Sequence, residues 1–205
     1  MLKNFLNNVK RVLEEKEEAR EELLKLTREL RINSTKAISS VHSGDLERAE
    51  EYLKNAFDIL KRIHEFRRYP DIYYPITFDA MQEFVEAYSF LHILKNEDLN
   101  IDLSSLNIEE APILTGLADT VGEIRRFVLD LLRRGEFERA ERLIGIMEEI
   151  YDNLVVFNFP NRLTPNLRQK VDYVRGAIEK TKSDFIAAKA SSLSEYLREL
   201  VKHDI

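Results

Sequence analysis

The sequence predicts an all-α protein: a single-domain bundle of about six to seven helices, led by a very long N-terminal helix. Three observations predict it. Gly and Pro are scarce, 6 and 5 among 205 residues, so the chain has few places to turn. Charged residues make up 33% and are mostly Glu, Lys and Arg, which lose little side-chain freedom in a helix. Apolar residues recur at the three- and four-residue spacing of a helix face along most of the chain. At this length, one domain spanning 1–205 with a sizeable core is expected.

Met1–His42 reads as one helix. Phe5, Val9 and Val12, then Leu23, Leu24, Leu26, Leu30, Ala37, Ile38 and Val41, keep helical spacing, while residues 14–22 are almost all charged. Some 40 residues at about 1.5 Å each reach about 60 Å, longer than a small domain is wide. The charged first part is therefore expected to project or to pack against another subunit.

Ser43-Gly44-Asp45 stops that helix and starts the next, with Gly at the left-handed C′ position and Asp as N-cap. The second helix runs to about Arg68 on a stripe of Leu46, Ala49, Leu53, Ala56, Phe57, Leu60 and Ile63. Tyr69-Pro70-Asp71 and Tyr74-Pro75 are expected to break the chain, because the residue before Pro avoids helix. Pro75 then suits the first turn of a third helix, which ends by Asn96–Asn100. Further helices are predicted at Ile108–Arg134, stopped by Gly135, and at Glu136–Phe159, closed by Pro160-Asn161. Another opens at Thr164-Pro165, and Ser183 or Ser192 marks a last break. The run Gly44–Glu50 echoes Gly135–Glu141, but the flanking residues lack the period of about 34 to 45 residues that helical arrays show. It reads as one helix-to-helix turn used twice.

The third helix carries the chemistry. Met81–Leu94 is apolar almost all round, which assigns it to a core, yet Glu83 and Glu86 sit three apart on one face. Buried carboxylates need a cation, either an Arg from another helix or a metal ion. Asp119 and Glu123, four apart, form a second acidic pair between Gly116 and Gly122, two helix-interior glycines that suggest a close neighbour. Taken alone, this pair also fits a solvated stripe, Asp119-Glu123-Arg126-Asp130-Arg133, laced with ion pairs. If the two helices face each other, four carboxylates converge, an oxygen donor set suited to Mg²⁺ or Mn²⁺.

Other classes are disfavoured. Without Cys there is no disulfide framework, thiolate site or thiol nucleophile. Neither a leader-like segment nor an apolar run of about 18 residues is seen, so a soluble cytoplasmic protein without membrane association is expected. A net charge of −6 argues against nucleic-acid binding by the whole surface, though not by a local patch. His42, His64, His92 and His203 share no metal-ligand spacing, and His92 reads as a core or interface residue. Tyr69, Tyr73 and Tyr74 could stack on bases but better suit anchoring the turn around Pro70. No Gly-rich phosphate loop is present.

Several separated motifs resemble the translin family, which includes translin and translin-associated factor X. They are Leu26-Thr27-Arg28-Glu29 with Ser34-Thr35-Lys36 and Val41-His42; Gln82-Glu83-Phe84-Val85-Glu86-Ala87 with Ser89-Phe90 and His92; and Gly116-Leu117-Ala118-Asp119 with Gly122-Glu123 and Arg126. The resemblance covers roughly residues 20–182 and, through the acidic motifs, is to the factor X type and to archaeal members. It implies a bundle of about seven helices, hollow octamers, and RNA or single-stranded DNA on the inner surface. It also implies a Mg²⁺-dependent endoribonuclease, with Mn²⁺ as an alternative ion. Glu83, Glu86, Asp119 and Glu123 would be the metal-binding and catalytic acids, and Arg28 and Arg126 the nucleic-acid contacts. The alternative is a non-catalytic oligomeric binder of RNA or single-stranded DNA whose acids are filled by Arg side chains. The basic cluster that translin carries before the acidic helix is absent here, where the sequence is Pro75-Ile76-Thr77-Phe78-Asp79.

Overall fold

The computed structural model describes residues 1–203. It holds six α-helices: α1 Leu2–His42, α2 Leu46–His64, α3 Pro70–Asn96, α4 Glu110–Arg134, α5 Phe137–Leu154 and α6 Leu167–His203. Short 3₁₀ turns follow α2 at Glu65–Arg68 and precede α4 at Ser104–Leu106. No described helix is long and apolar enough to cross a membrane.

α3 is the centre of the bundle. It packs against α1 on one side and α4 on the other, with α2 closing over α1 and α5 and α6 over α4. Its buried positions, among them Met81, Phe84, Val85, Ala87, Phe90, Leu91, Ile93 and Leu94, cover most of its circumference. One apolar core joins them to Leu23, Leu26 and Leu30 of α1, Leu60 and Ile63 of α2, and Ile124, Val128 and Leu131 of α4.

The repeated turn is the same device in both places. Gly44 (φ 82°) and Gly135 (φ 75°) take the left-handed conformation after α1 and α4. At each, the Gly N–H and the next N–H bond back to the helix: Gly44 to Val41 and Asp45 to Ser40, Gly135 to Leu132 and Glu136 to Leu131. These bonds satisfy the carbonyls that a helix end leaves open. Only the first copy adds a side-chain cap, Asp45 accepting from the Arg48 N–H at 3.1 Å.

Several boundaries differ from expectation. The break at Tyr74-Pro75 does not occur: α3 starts at Pro70 and carries Pro75 inside it. The hydrogen bond that Pro75 cannot donate belongs to the carbonyl of Asp71, on the exposed first turn where water serves. The last turn expected of α2 is the 3₁₀ segment, and α4 begins at Glu110, after Asn107 in the left-handed conformation. α5 ends at Leu154, not Phe159, where Val155-Val156 begin a run of turns, and α6 opens at Leu167 rather than at Thr164-Pro165. Neither Ser183 nor Ser192 breaks α6; a helical Ser costs only tenths of a kcal/mol, and no Gly or Pro accompanies them.

The two glycines of α4 do different things. A Cβ at Gly116 would lie 2.7 Å from the Gln82 carbonyl oxygen and 2.8 Å from the Val85 Cβ. A Cβ at Gly122 would meet nothing within 4 Å. The expected close approach is therefore real at Gly116 and absent at Gly122, which borders the cavity described below. Accordingly, Gly116→Ala should lower the free energy of unfolding by about 1–3 kcal/mol through overpacking. Gly122→Ala should raise it by up to about 1 kcal/mol. Urea denaturation of both variants checks the contrast.

Candidate nucleic-acid and metal site

α3 and α4 bring the four predicted acids together. Glu83, Glu86, Asp119 and Glu123 border one open cavity of about 1340 Å³, whose wall also includes Arg28, Arg31 and Lys36 of α1, Arg126 and Gly122 of α4, and Tyr173 of α6. Every site residue proposed from the sequence lines this space. α3 has a wet side after all, a narrow one that faces a hollow rather than the outer surface.

Three of the acids hold partners that the sequence did not reveal. The Arg31 guanidinium donates to Glu83 at 2.9 Å from Nε and lies 2.7 Å from it through Nη2. Lys170 of α6 donates to both Asp119 oxygens, at 2.5 and 2.7 Å, and the Gln82 amide adds a bond at 2.7 Å. His42 Nε2 stands 2.5 Å from Glu123 Oε2. The His42 ring is packed between Phe90 and Phe127, with centroids 5.0 and 6.4 Å away, and its buried Nδ1 has no hydrogen-bond partner. With no acceptor at Nδ1, the ring proton belongs on Nε2, where it donates to the carboxylate. Arg31, His42 and Lys170 come from the first and last helices, 51 to 81 residues away from the acids they meet.

Glu86 has no hydrogen bond or ion pair among the described residues. Burial, and then the charges of Asp119, Glu123 and Glu83, push its carboxyl up to about 8; Lys170 partly opposes them. Such a displacement marks first a carboxyl withdrawn from water, and second one set among other acids.

The stripe expected along α4 divides in two. Its far end is ordinary surface pairing, Arg133 with Asp130 at 3.2 Å, whereas Asp119 and Glu123 turn into the cavity. Arg126 remains largely exposed, 3.8 Å from Glu123, and Arg28 has no ion pair among the described residues, so both guanidinium groups are available to phosphate. Arg125 is not: it is held by Thr181 at 2.6 Å and Asp184 at 2.9 Å. Tyr73 is buried and accepts from Arg67, so it anchors the turn as expected. His92 lies half-buried on α3, 3.4 Å from Asp98.

The donor set suits a hard divalent cation in type and charge. Among the described residues, however, no three His, Asp or Glu side chains are arranged to enclose an ion. Arg31, Lys170 and His42 fill that role for three of the acids, so a metal would have to compete with them.

The Glu86 carboxyl sets a pH dependence. Its folded-state value lies above its ordinary 4.5, so the folded protein binds the extra proton, and stability falls as pH rises from about 4.5 through about 8. Glu86→Gln should therefore melt above the parent protein in EDTA, with the gap widening from pH 5 to pH 8. A gap constant over that range in calorimetric scans would contradict the assignment.

Comparison with known proteins bears on the family and the fold. The family model described as "Translin family" matches residues 18–183. An uncharacterised protein of Methanocaldococcus jannaschii is 32% identical over 183 residues, covering 88% of this chain and 81% of that protein. Among solved structures, AfC3PO in complex with duplex RNA is 47% identical, with TM-score 0.88 over 92% of this chain and 98% of that one. Apo-NeC3PO is 28% identical, with TM-score 0.80 over 89% and 96%. By sequence and by fold alike, the chain belongs to the translin family.

Proposed function

We propose that this protein is a Mg²⁺-dependent endoribonuclease, with Mn²⁺ as a substitute, that cleaves single-stranded or short RNA inside an oligomeric shell, an octamer by family resemblance. The observation that carries the proposal is Glu86: a carboxyl set among three others in an open cavity, with no cation of its own. Stability alone does not favour such an arrangement, and an acidic site that receives a metal explains it. The duplex RNA bound by AfC3PO supports RNA as the ligand class.

A divalent ion at such carboxylates acidifies a bound water and offsets charge on a phosphodiester. Glu83, Glu86, Asp119 and Glu123 would hold it, directly or through water. His42 fixes the Glu123 carboxylate through Nε2–H, and Lys170 and Gln82 orient Asp119. Arg28 and Arg126 supply cationic forks for backbone phosphate at the rim, and the open space beside Gly122 admits a strand to the α4 surface.

The second reading is a non-catalytic binder of RNA or single-stranded DNA. It is favoured by the Arg31, Lys170 and His42 contacts, which already partner three of the acids. Labelled single-stranded and duplex RNA, incubated with the protein in Mg²⁺ or EDTA, separates the two. The nuclease reading expects cleavage that EDTA and Glu83→Ala abolish while folding and RNA binding persist. RNA binding without cleavage in any divalent metal leaves only the binder.

Two variants refine the test. His42→Ala should lower cleavage by about 10–100-fold, as loss of a group that orients a metal ligand does. Lys170→Gln should tighten Mn²⁺ binding measured by calorimetry without RNA, because lysine and ion compete for Asp119; unchanged affinity would argue that they do not.

A further inference from the structure

The cavity is a trough with two unlike banks. α3 and α4 form its acidic floor; α1, packed on α3, makes one bank, and α6, packed on α4, makes the other. Arg28, Arg31 and Lys36 give the α1 bank its positive charge. The α6 bank contributes Tyr173, the one aromatic side chain among the described residues that line the cavity.

Tyr173 does nothing for the bundle itself. It is 65% exposed, while Val174 and Ala177 beside it on α6 are buried. Among the described residues its hydroxyl has no hydrogen bond, and its ring has no aromatic or cationic partner. Its place is nevertheless fixed. Lys170 lies three residues earlier on the same face of α6 and is held to both oxygens of Asp119. Long side chains of a helix lean toward its N-terminus, so the ring leans toward the turn that grips the floor. Tyr69, Tyr73 and Tyr74, the tyrosines that the sequence offered for stacking, do not line the cavity.

A nucleotide divides its chemistry as the trough does. Its phosphate is an anion suited to guanidinium groups, and its base, on the other side of the sugar, offers a face to an aromatic ring. Inside a duplex both faces of a base are covered by its neighbours, so a tyrosine stacks on an unpaired one. We propose that Tyr173 is the stacking platform for one unpaired base of a strand whose phosphates lie on Arg28 and Arg126, and that it selects unpaired over paired segments at the acids. The inference rests on the nucleic-acid reading of the cavity but not on cleavage.

The chain has no Trp, so Tyr173→Trp places its sole indole in the cavity. In EDTA, single-stranded oligoriboadenylate should quench that emission, and annealing the complementary strand should relieve the quench. Anisotropy of end-labelled strands gives the affinities. Tyr173→Ala should weaken oligoriboadenylate binding about 5–150-fold, and Tyr173→Phe should keep it within about twofold of the parent. An abasic strand of the same length should bind all three proteins alike. Oligoriboadenylate that binds without quenching the indole, or an alanine variant that weakens both strands equally, would overturn the role of the ring while leaving the cavity a nucleic-acid site. A quench that survives annealing would overturn the selection of unpaired bases. Emission that follows protein concentration instead of added strand would also overturn the inference, making the ring an intersubunit contact. If neither strand binds the parent protein, the nucleic-acid reading itself fails, and the inference with it.

Discussion

The close approach of α3 and α4 at Gly116 is the constraint on which the rest depends. With no room for a side chain there, the α4 backbone lies against Gln82 and Val85, and the turns on either side inherit their spacing. One turn along α4 from Gly116 comes Asp119, and another turn on comes Glu123. On α3, Gln82 touches the contact point and Glu83 and Glu86 follow it. Four carboxylates are thus gathered by a steric fact rather than by mutual attraction, and their repulsion is borne by the apolar packing on the far sides of both helices.

That repulsion explains why the site recruits basic groups from distant segments. Three acids are met by three different helices' worth of chemistry: Arg31 and His42 from α1, Lys170 from α6, with Gln82 helping from α3 itself. The fourth acid is left to carry a proton through much of the neutral range. Unequal surroundings push the protonation states of neighbouring carboxyl groups apart.

Much of this was legible in the sequence. The helical periods, the Gly44-Asp45 stop and its Gly135 counterpart are local signals, and they located α1, α2 and α4 to within a few residues. Glu83 and Glu86 were visible because charge inside an apolar helix contradicts its surroundings, whereas Asp119 and Glu123, four apart between two helix glycines, fitted a solvated stripe equally well. The errors were of two kinds. Pro75 and the serines of α6 suggest breaks only if local propensity decides, and here tertiary packing and exposure of the affected turn decided otherwise. His42, Arg31 and Lys170 could not be paired with their acids from spacing, because their partners lie on other helices. His42 alone carries a clue, its place in a motif shared with the translin family, and metal-ligand spacing is blind to a residue that holds a carboxylate from another helix.

The long sequence separations within the site bear on folding. His42 meets Glu123 across 81 residues, and Lys170 meets Asp119 across 51. Hairpins of neighbouring helices can form early, since their closing loops are short. The acidic cavity has no such shortcut: α1, α3, α4 and α6 must all be docked before its walls exist. The cavity is complete only when α1, α3, α4 and α6 are all docked, and a chain with α1 or α6 undocked lacks the groups that position Glu123 or Asp119.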